Sequence, residues 1–131
     1  MRIKLSSIHV DDQDKARRFY TEVLGFEVSV DVPAGEYRWI ALRSPEGGGA
    51  ELVLEPDAHP AARAYTQALL RDGIPITGFE VDDVDAEFTR LTEAGVVFTQ
   101  QPTTMGPVRI AVFSDTCGNL LQIYQPVGAD G

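Results

Sequence analysis

The sequence predicts an α+β domain of two tandem βαβββ modules, because one pattern of strand, acidic turn and helix occurs twice in its 131 residues. The stretch "IHVDDQDKARRFYTEVLGF" covers residues 8–26, and a shorter version, "FEVDDVDAEFTRLTEAGVVF", covers residues 79–98. Val10 and Val81, which open the two acidic turns, lie 71 positions apart. A spacing of more than half the chain indicates a duplication rather than a solenoid of short repeats.

The first module begins with a strand and a capped helix. Residues 3–10 alternate with a period of two, as a strand does. Asp11 or Asp12 can then cap a helix by accepting backbone N–H bonds, and Gly25 stands where a left-handed residue ends one. The side chains at helical spacing, which we expect to form the buried face, are Ala16, Phe19, Tyr20 and Val23.

The second module repeats these signals, and each module continues with strands. Asp82 or Asp83 is the expected cap, and Gly95 the expected end, of a helix whose apolar face carries Phe88, Leu91 and Ala94. Each helix is followed by a short strand and then by a hairpin with a Gly-containing turn. The predicted short strands are residues 27–31 and 96–100, and the predicted hairpins are residues 38–56 and 109–126.

A proline-bounded segment separates the two modules. Its apolar residues Ala62, Tyr65, Leu69 and Leu70 have helical spacing, and prolines at both ends stop a helix. We therefore predict a single domain over residues 1–131, with module one at about 1–56, a linking helix at about 57–75 and module two at about 76–126.

Composition excludes several classes of protein. With 44% hydrophobic residues the chain can bury a core, and no apolar run reaches the length of a membrane span. The N-terminus lacks the apolar segment of a signal peptide and Cys117 is the sole cysteine, so we expect a cytoplasmic protein. A formal net charge of −9 argues against binding to nucleic acid or to a membrane surface.

The tandem modules, with "FYTEVLGF" closing the first helix and "DTCGNLLQIYQP" closing the last hairpin, resemble the vicinal oxygen chelate superfamily. That superfamily includes glyoxalase I, bleomycin resistance proteins, fosfomycin-resistance enzymes and extradiol dioxygenases. The resemblance extends over about residues 3–126. It implies a cupped, partly open mixed sheet with helices outside, a cavity between the modules and, in most members, a homodimer.

The resemblance also indicates where a divalent metal would bind. In metal-binding members the first ligand of each module stands five residues before the Val of the acidic turn, which here gives Leu5 and Ile76. Neither side chain binds metals. The second ligand lies on the last strand, where an offset of 71 pairs Glu51 with Gln122 and an offset of 70 pairs Leu52 with Gln122. Glu51 and Gln122 are therefore the metal ligands to consider, and they are too few for tight binding.

Several polar and aromatic residues are candidates for a ligand pocket. Glu51 is the candidate catalytic base, with a solvated strand residue as the alternative. His9 could act as a pocket acid or base or as a simple hydrogen-bonding group. Arg38 and Arg109, at equivalent places in the two modules, could bind an anion or face solvent. The predicted pocket residues are Ser7, His9, Trp39, Glu51, Phe79, Phe113, Gln122 and Tyr124.

Two functions are consistent with these residues. The first is a binding protein, like the bleomycin resistance proteins, that holds a small hydrophobic or aromatic molecule in the cleft between its modules without a complete metal site. The alternative is a metal-dependent lyase or isomerase of glyoxalase I type, with Glu51 removing a proton beside a carbonyl. An extradiol dioxygenase is hardest to reconcile, because its iron needs two histidines and a carboxylate and neither His9 nor His59 stands at a ligand position.

Overall fold

The computed structural model describes residues 1–128 and confirms the α+β fold with two tandem βαβββ modules. In the first module a short helix follows the first strand and continues as a π-helical turn (Phe19–Val23). The elements of the first module are β1 (Leu5–Val10), α1 (Gln13–Arg18), β2 (Glu27–Ala34), β3 (Tyr37–Arg43) and β4 (Glu51–Pro56). After α2 (Pro60–Arg71), the second module contains β5 (Thr77–Glu80), α3 (Val84–Glu93), β6 (Phe98–Met105), β7 (Val108–Ser114) and β8 (Leu120–Pro126).

Each module forms its own mixed sheet within residues 1–128. The strand orders are β1-β4-β3-β2 and β5-β8-β7-β6, so the last strand of each module lies between the first strand and the hairpin partner. The first strand pairs with the last in parallel, and the other pairs are antiparallel. The chain divides into two compact units, one ending at Thr66 and one beginning at Gln67.

In the first unit, α1 lies on one side of the sheet. The side chain of Arg38 on β3 reaches Asp14 of α1, and alternation along the strand then turns Ile40 and Leu42 to the same side. Phe19 and Tyr20, which follow α1, are buried, as are Ile40 and Leu42. We call the opposite side the far face of the first sheet. Alternation and strand register assign to it Leu5, Ser7, His9, Val30, Val32, Tyr37, Trp39, Ala41, Glu51, Val53 and Glu55.

In the second unit, α3 takes the same place against its own sheet. Arg109 of β7 pairs with Asp85 of α3. The ring centroid of Phe98 lies 4.7 Å from that of Phe88 on α3 and 5.3 Å from that of Phe113 on β7. Phe113, which alternation places on the side of Arg109, is therefore packed under α3. The far face of the second sheet carries Gly78, Glu80, Ile110, Val112, Gln122 and Tyr124.

The predicted helix ends are confirmed. Asp12 and Asp83 are the caps, and each side chain accepts a backbone N–H bond three residues on, at 3.0 Å. Gly25 and Gly95 have φ of +92°, which favours glycine at a helix end. The π-helical turn was not predicted. Its widened turn, closed by the Leu24 N–H on the Phe19 carbonyl at 3.1 Å, lets the consecutive rings of Phe19 and Tyr20 both enter the core.

The hairpin turns differ between the modules. Between β7 and β8, the buried carboxylate of Asp115 accepts from the backbone N–H groups of Cys117 (2.7 Å) and Asn119 (3.0 Å) and from the Asn119 side chain (3.0 Å). Between β3 and β4 the connection is two residues longer and contains three consecutive glycines with positive φ, residues 47–49. The second turn is thus fixed by a side chain, and the first depends on glycine backbone freedom.

We expect Asp115→Ala to lower the free energy of unfolding by about 3 kcal/mol, since it leaves buried backbone N–H groups without their acceptor. Urea unfolding followed by circular dichroism measures the loss. Asp115→Asn is the matched control, because it keeps one acceptor oxygen at the same place and should lose less than half as much. Equal losses in the two variants would show that the charge of Asp115, rather than the acceptor oxygen, holds the turn.

Candidate functional site

The far face of the first sheet brings together four of the predicted pocket residues. Ser7 and His9 lie on β1, Trp39 on β3 and Glu51 on β4, all on the side away from α1. Trp39 is 38% exposed, Ser7 is exposed, and His9 and Glu51 are half-buried. These four side chains therefore occupy one surface that carries both polar and aromatic groups.

Glu51 is held from the edge strand of the same sheet. The Ser29 hydroxyl can donate to the Glu51 carboxylate or to the Ala41 carbonyl oxygen, 3.1 Å away. Ser29 lies at the β-bulge where the register of β2 shifts between Val28 and Val30. A bulge re-aims the side chain it carries, which explains how a residue of β2 reaches a carboxylate on β4. Ser29 thus orients the carboxylate that the sequence suggested as a base.

His9 and Glu55 form the other end of this face. They are direct partners on the parallel strands β1 and β4, so their side chains lie next to each other. The Nδ1 atom of His9 lies 3.2 Å from the Pro56 carbonyl oxygen, and because a carbonyl accepts, Nδ1 carries the proton. Glu55 was missed by the sequence analysis. The period of two that places Glu51 and Val53 on this face could have identified it.

The β3 and β4 strands separate at this end. Their ladder contains the pairs Ala41 with Val53 and Leu42 with Leu52, whereas the β7–β8 ladder continues from Val108 to Ser114. The side chain of Gln13 bridges the gap: Nε2 donates to the carbonyls of Arg38 (2.7 Å) and Leu54 (2.9 Å), and Oε1 accepts from the Arg38 N–H (3.1 Å). One amide therefore supplies the hydrogen bonds that a continuous ladder would have made.

The remaining predicted pocket residues belong to the second sheet and lie on different sides of it. Gln122 and Tyr124 are half-buried on the far face. Phe79 is paired with Ile123, and Phe113 with Leu121, so alternation places both rings on the side of α3. Phe113 is fully buried there. The expectation that Phe79 and Phe113 share a lining with Gln122 and Tyr124 thus fails, because residues of opposite parity on paired strands cannot share a face.

The strand register also corrects the expected metal positions. Ser7 pairs with Val53, and Gly78, which lies 71 positions after Ser7, pairs with Gln122. Val53, 69 positions before Gln122, is therefore its counterpart, and the offsets that matched Glu51 or Leu52 with Gln122 were wrong. The physical reason is the longer turn between β3 and β4, which adds two residues to the first module.

The corrected positions do not fit a divalent metal. They are Leu5, Val53, Ile76 and Gln122, three hydrocarbon side chains and one neutral amide, whereas a catalytic metal needs three or more nitrogen, oxygen or sulfur donors from the protein. Within residues 1–128, moreover, His, Cys, Asp and Glu side chains do not gather in groups of three that could hold a metal ion.

Comparison with known proteins agrees with the module structure. The sequence model described as "Glyoxalase/Bleomycin resistance protein/Dioxygenase superfamily" matches residues 2–123. The chain belongs to this superfamily. None of the helices within residues 1–128 combines the length and the apolar character that a membrane crossing requires.

Relatives of this superfamily member cover almost its whole length. Protein YurT of Bacillus subtilis (strain 168) is 55% identical over 126 residues, which are 95% of this chain and 99% of YurT. The crystal structure of UcmS2 superposes with a TM-score of 0.81 at 32% identity, covering 95% of this chain and 97% of UcmS2. TnmS3, an antibiotic binding protein from Streptomyces sp. CB03234, has a TM-score of 0.77 at 33% identity and 96% coverage of both chains.

The two arginines considered as anion ligands join sheets to helices instead. Arg38 contacts Asp14 and Asp31, and Arg109 contacts Asp85 at 2.8 and 2.9 Å. Hydrogen bonding to Arg109 holds the pKa of Asp85 below its usual value of 3.8 and raises the pKa of Arg109. Both arginines lie on the helix side of their sheets, so they support packing rather than the far faces.

The Asp85–Arg109 pair predicts a pH-dependent effect on stability. Because the pKa of Asp85 is lower in the folded chain, the pair stabilises fully above about pH 4 and loses its effect as the pH falls through the folded pKa. We expect Arg109→Gln to lower Tm by about 2 °C at pH 7 and by less at pH 2, measured by calorimetry.

The control for this pair is Arg71→Gln, since Arg71 makes a single exposed contact with Asp72 at 3.4 Å. It should leave Tm unchanged at both pH values. A Tm difference for Arg109→Gln that stays constant down to pH 2 would contradict a role for the ionised Asp85 carboxylate.

Proposed function

We propose that this superfamily member binds a small hydrophobic or aromatic molecule on the far face of its first sheet, without a complete metal site. The observation that carries the proposal is the exposure of large hydrophobic side chains there. Such side chains are usually buried, and a group of them exposed on neighbouring strands is typical of a binding surface. Their exposed fractions are 51% for Leu5, 37% for Val30, 48% for Val32, 44% for Tyr37 and 38% for Trp39. Val32, Tyr37 and Trp39 are neighbours on β2 and β3, whereas the buried Ala41 and Val53 separate Leu5 from them.

The arrangement of this face suits a flat ligand. Trp39 is directly opposite Val32 on the neighbouring strand, and Tyr37 is two residues away on the same side. A planar molecule could cover the indole ring and the valine together and gain both apolar burial and aromatic stacking. Polar groups at the same face, from Ser7 and His9 on β1, are available to orient it.

The relatives support the same proposal. TnmS3, which is 33% identical over nearly the whole chain, is described as an antibiotic binding protein. A similar role for this chain would require an apolar surface able to accept a small hydrophobic or aromatic molecule. The far face of the first sheet offers such a surface.

The alternative of a metal-dependent lyase with Glu51 as base has less support. Its chemistry needs a metal to stabilise the enolate, and the positions that would supply the ligands are Leu5, Val53, Ile76 and Gln122. Glu51 itself is two residues away from the ligand position on β4 and is oriented by Ser29. We therefore propose ligand binding alone.

The binding proposal is tested with the neutral fluorescent probe N-phenyl-1-naphthylamine. We expect the wild-type chain to enhance its fluorescence, and Trp39→Ala to raise its Kd about tenfold through loss of stacking and apolar contact. Addition of EDTA should leave both Kd values unchanged.

The matched control is Val97→Ser, because Val97 is another exposed hydrophobic residue, 67% exposed and outside this face. It should bind the probe like the wild type. An equal Kd for Trp39→Ala and the wild type would contradict the proposed surface, and loss of binding in EDTA would contradict a metal-free site.

We also propose that the chain forms a homodimer, as the resemblance to its superfamily implies. Further hydrophobic side chains are exposed outside the far face, and a second copy could cover them. They are Tyr65, Leu70, Ile74 and Val97. Sedimentation equilibrium at micromolar concentration should give about twice the 14.3 kDa chain mass. A mass equal to that of one chain would contradict the dimer and leave the binding proposal untouched.

A further inference from the structure

We propose that the far face contains a subsite for a positively charged aromatic group, at the end where β3 and β4 separate, and that Glu55 binds its charge. This inference rests on the proposed function, because it names the chemical class of the small molecule. The subsite is formed by Trp39 on β3, Glu55 on β4 and His9 on β1.

Glu55 differs from the other half-buried carboxylates of residues 1–128. Asp31 contacts Arg17 and Arg38, Asp57 contacts Arg63, Glu87 contacts Arg90, and Glu51 can accept from the Ser29 hydroxyl. Within residues 1–128 the side chain of Glu55 forms neither an ion pair nor a hydrogen bond, although it is half-buried. Its carboxylate oxygens are accessible to solvent, because neither is among the buried side-chain atoms of residues 1–128 that lack a hydrogen bond, so a cation supplied by a ligand could form a charge-assisted hydrogen bond with Glu55.

The space beside Glu55 is part of the fold rather than a frayed strand end. After the pair Ala41 with Val53, the next residues on the far face are Trp39 and Glu55, and these are not joined by the ladder. Gln13 holds the separated strands by hydrogen bonds of 2.7 to 3.1 Å to the backbone of both. The indole and the carboxylate thus flank a gap whose width is fixed from the helix side.

The groups around the gap select a planar cation. The indole ring attracts a cation through its face and also stacks on a planar ring, and the carboxylate forms a charge-assisted hydrogen bond with an N–H donor. His9 closes the β1 side, with its ring held by the hydrogen bond to Pro56 at 3.2 Å. A net charge of −9 further raises the local concentration of cations. The ligand class is therefore an aromatic ring that carries a protonated or delocalised positive nitrogen.

The chain provides its own reporter for this subsite, since Trp39 is the sole tryptophan. Quenching of its fluorescence is followed with two planar probes at pH 7.5: 9-aminoacridine, which is cationic there, and acridine, which is neutral. We expect the wild-type chain to bind 9-aminoacridine at least about tenfold more tightly than acridine. Glu55→Gln should remove that preference, because it should raise the Kd of the cationic 9-aminoacridine about tenfold and leave the Kd of the neutral acridine unchanged.

The matched control is Glu46→Gln, which removes the same charge from an exposed residue in the turn between β3 and β4. It should keep the tenfold preference, which separates a contact with Glu55 from the overall charge. Circular dichroism and melting of Glu55→Gln check that the fold is retained, and Glu55→Asp, which keeps the charge, should retain part of the preference.

The outcomes separate this inference from the proposed function. Equal affinity of the wild type for both probes, or the same small loss in Glu55→Gln and Glu46→Gln, would overturn the inference while acridine binding still supports an aromatic-binding face. Failure of both probes to quench Trp39 would overturn the inference together with the proposed function.

Discussion

The packing of one helix against one side of each sheet is the interaction on which the rest of this structure depends. A strand alternates its side chains between two sides of the sheet. Because α1 or α3 covers one side, the residues on the other side do not have to pack against that helix. Burial of Phe19 and Tyr20 under this arrangement contributes roughly 2 kcal/mol or more per side chain, and Ile40 and Leu42 add to it. The helix side therefore contributes much of the fold stability. On the far face of the first sheet Ala41 and Val53 are also buried, and its exposed positions can carry residues used for binding.

The two copies of the module keep this packing and differ elsewhere. The helix caps Asp12 and Asp83 are equivalent, and so are the pairs of an arginine on the sheet with an aspartate on the helix. The residue after each cap is not: Gln13 bridges two separated strands, whereas its counterpart Val84 is buried and its N–H donates to the Gln125 side chain at 3.0 Å. The module with Val84 after the cap has a continuous β7–β8 ladder, and the module with Gln13 at that position has a β3–β4 ladder that ends early.

Much of the fold follows from local signals in the sequence. The acidic turns, the terminal glycines and the period-two strands are each set by neighbouring residues, so the repeated βαβββ order was predicted correctly. The side of the sheet that Phe79 and Phe113 face depends on pairing with Ile123 and Leu121, which are distant in sequence or across a hairpin. Strand register of this kind is not encoded in any short segment. The predicted pocket was therefore wrong for Phe79 and Phe113, whose side of the sheet depends on strand register.

The expected metal-ligand positions were also misplaced because the sequence does not specify strand register, and here the error changes which residue occupies the ligand position on β4. Sequence similarity between the two turns predicts an offset of 71 or 70, and the two extra residues of the Gly-rich turn make the actual offset on β4 equal to 69. A shift of two keeps a side chain on the same side of the sheet but moves it by roughly 7 Å along the strand. This distance separates Glu51 from the ligand position and puts Val53 there, so an insertion in a loop changes what chemistry the sheet can support.

The distribution of charge explains why the carboxylate of Glu55 on the far face has no lysine or arginine counter-ion within residues 1–128. Within residues 1–128, eight of the eleven basic residues already form ion pairs with Asp or Glu: Lys15, Arg17, Arg38, Arg43, Arg63, Arg71, Arg90 and Arg109. The others, Arg2, Lys4 and Arg18, precede β1 or lie on α1. Since the arginines of the first sheet are committed to helix-side or edge carboxylates, His9 is the one basic side chain placed next to Glu55 within residues 1–128, and a permanent positive charge there has to come from a ligand. An acidic protein whose apolar face ends in such a carboxylate is thereby matched to ligands that join an aromatic ring to a cation.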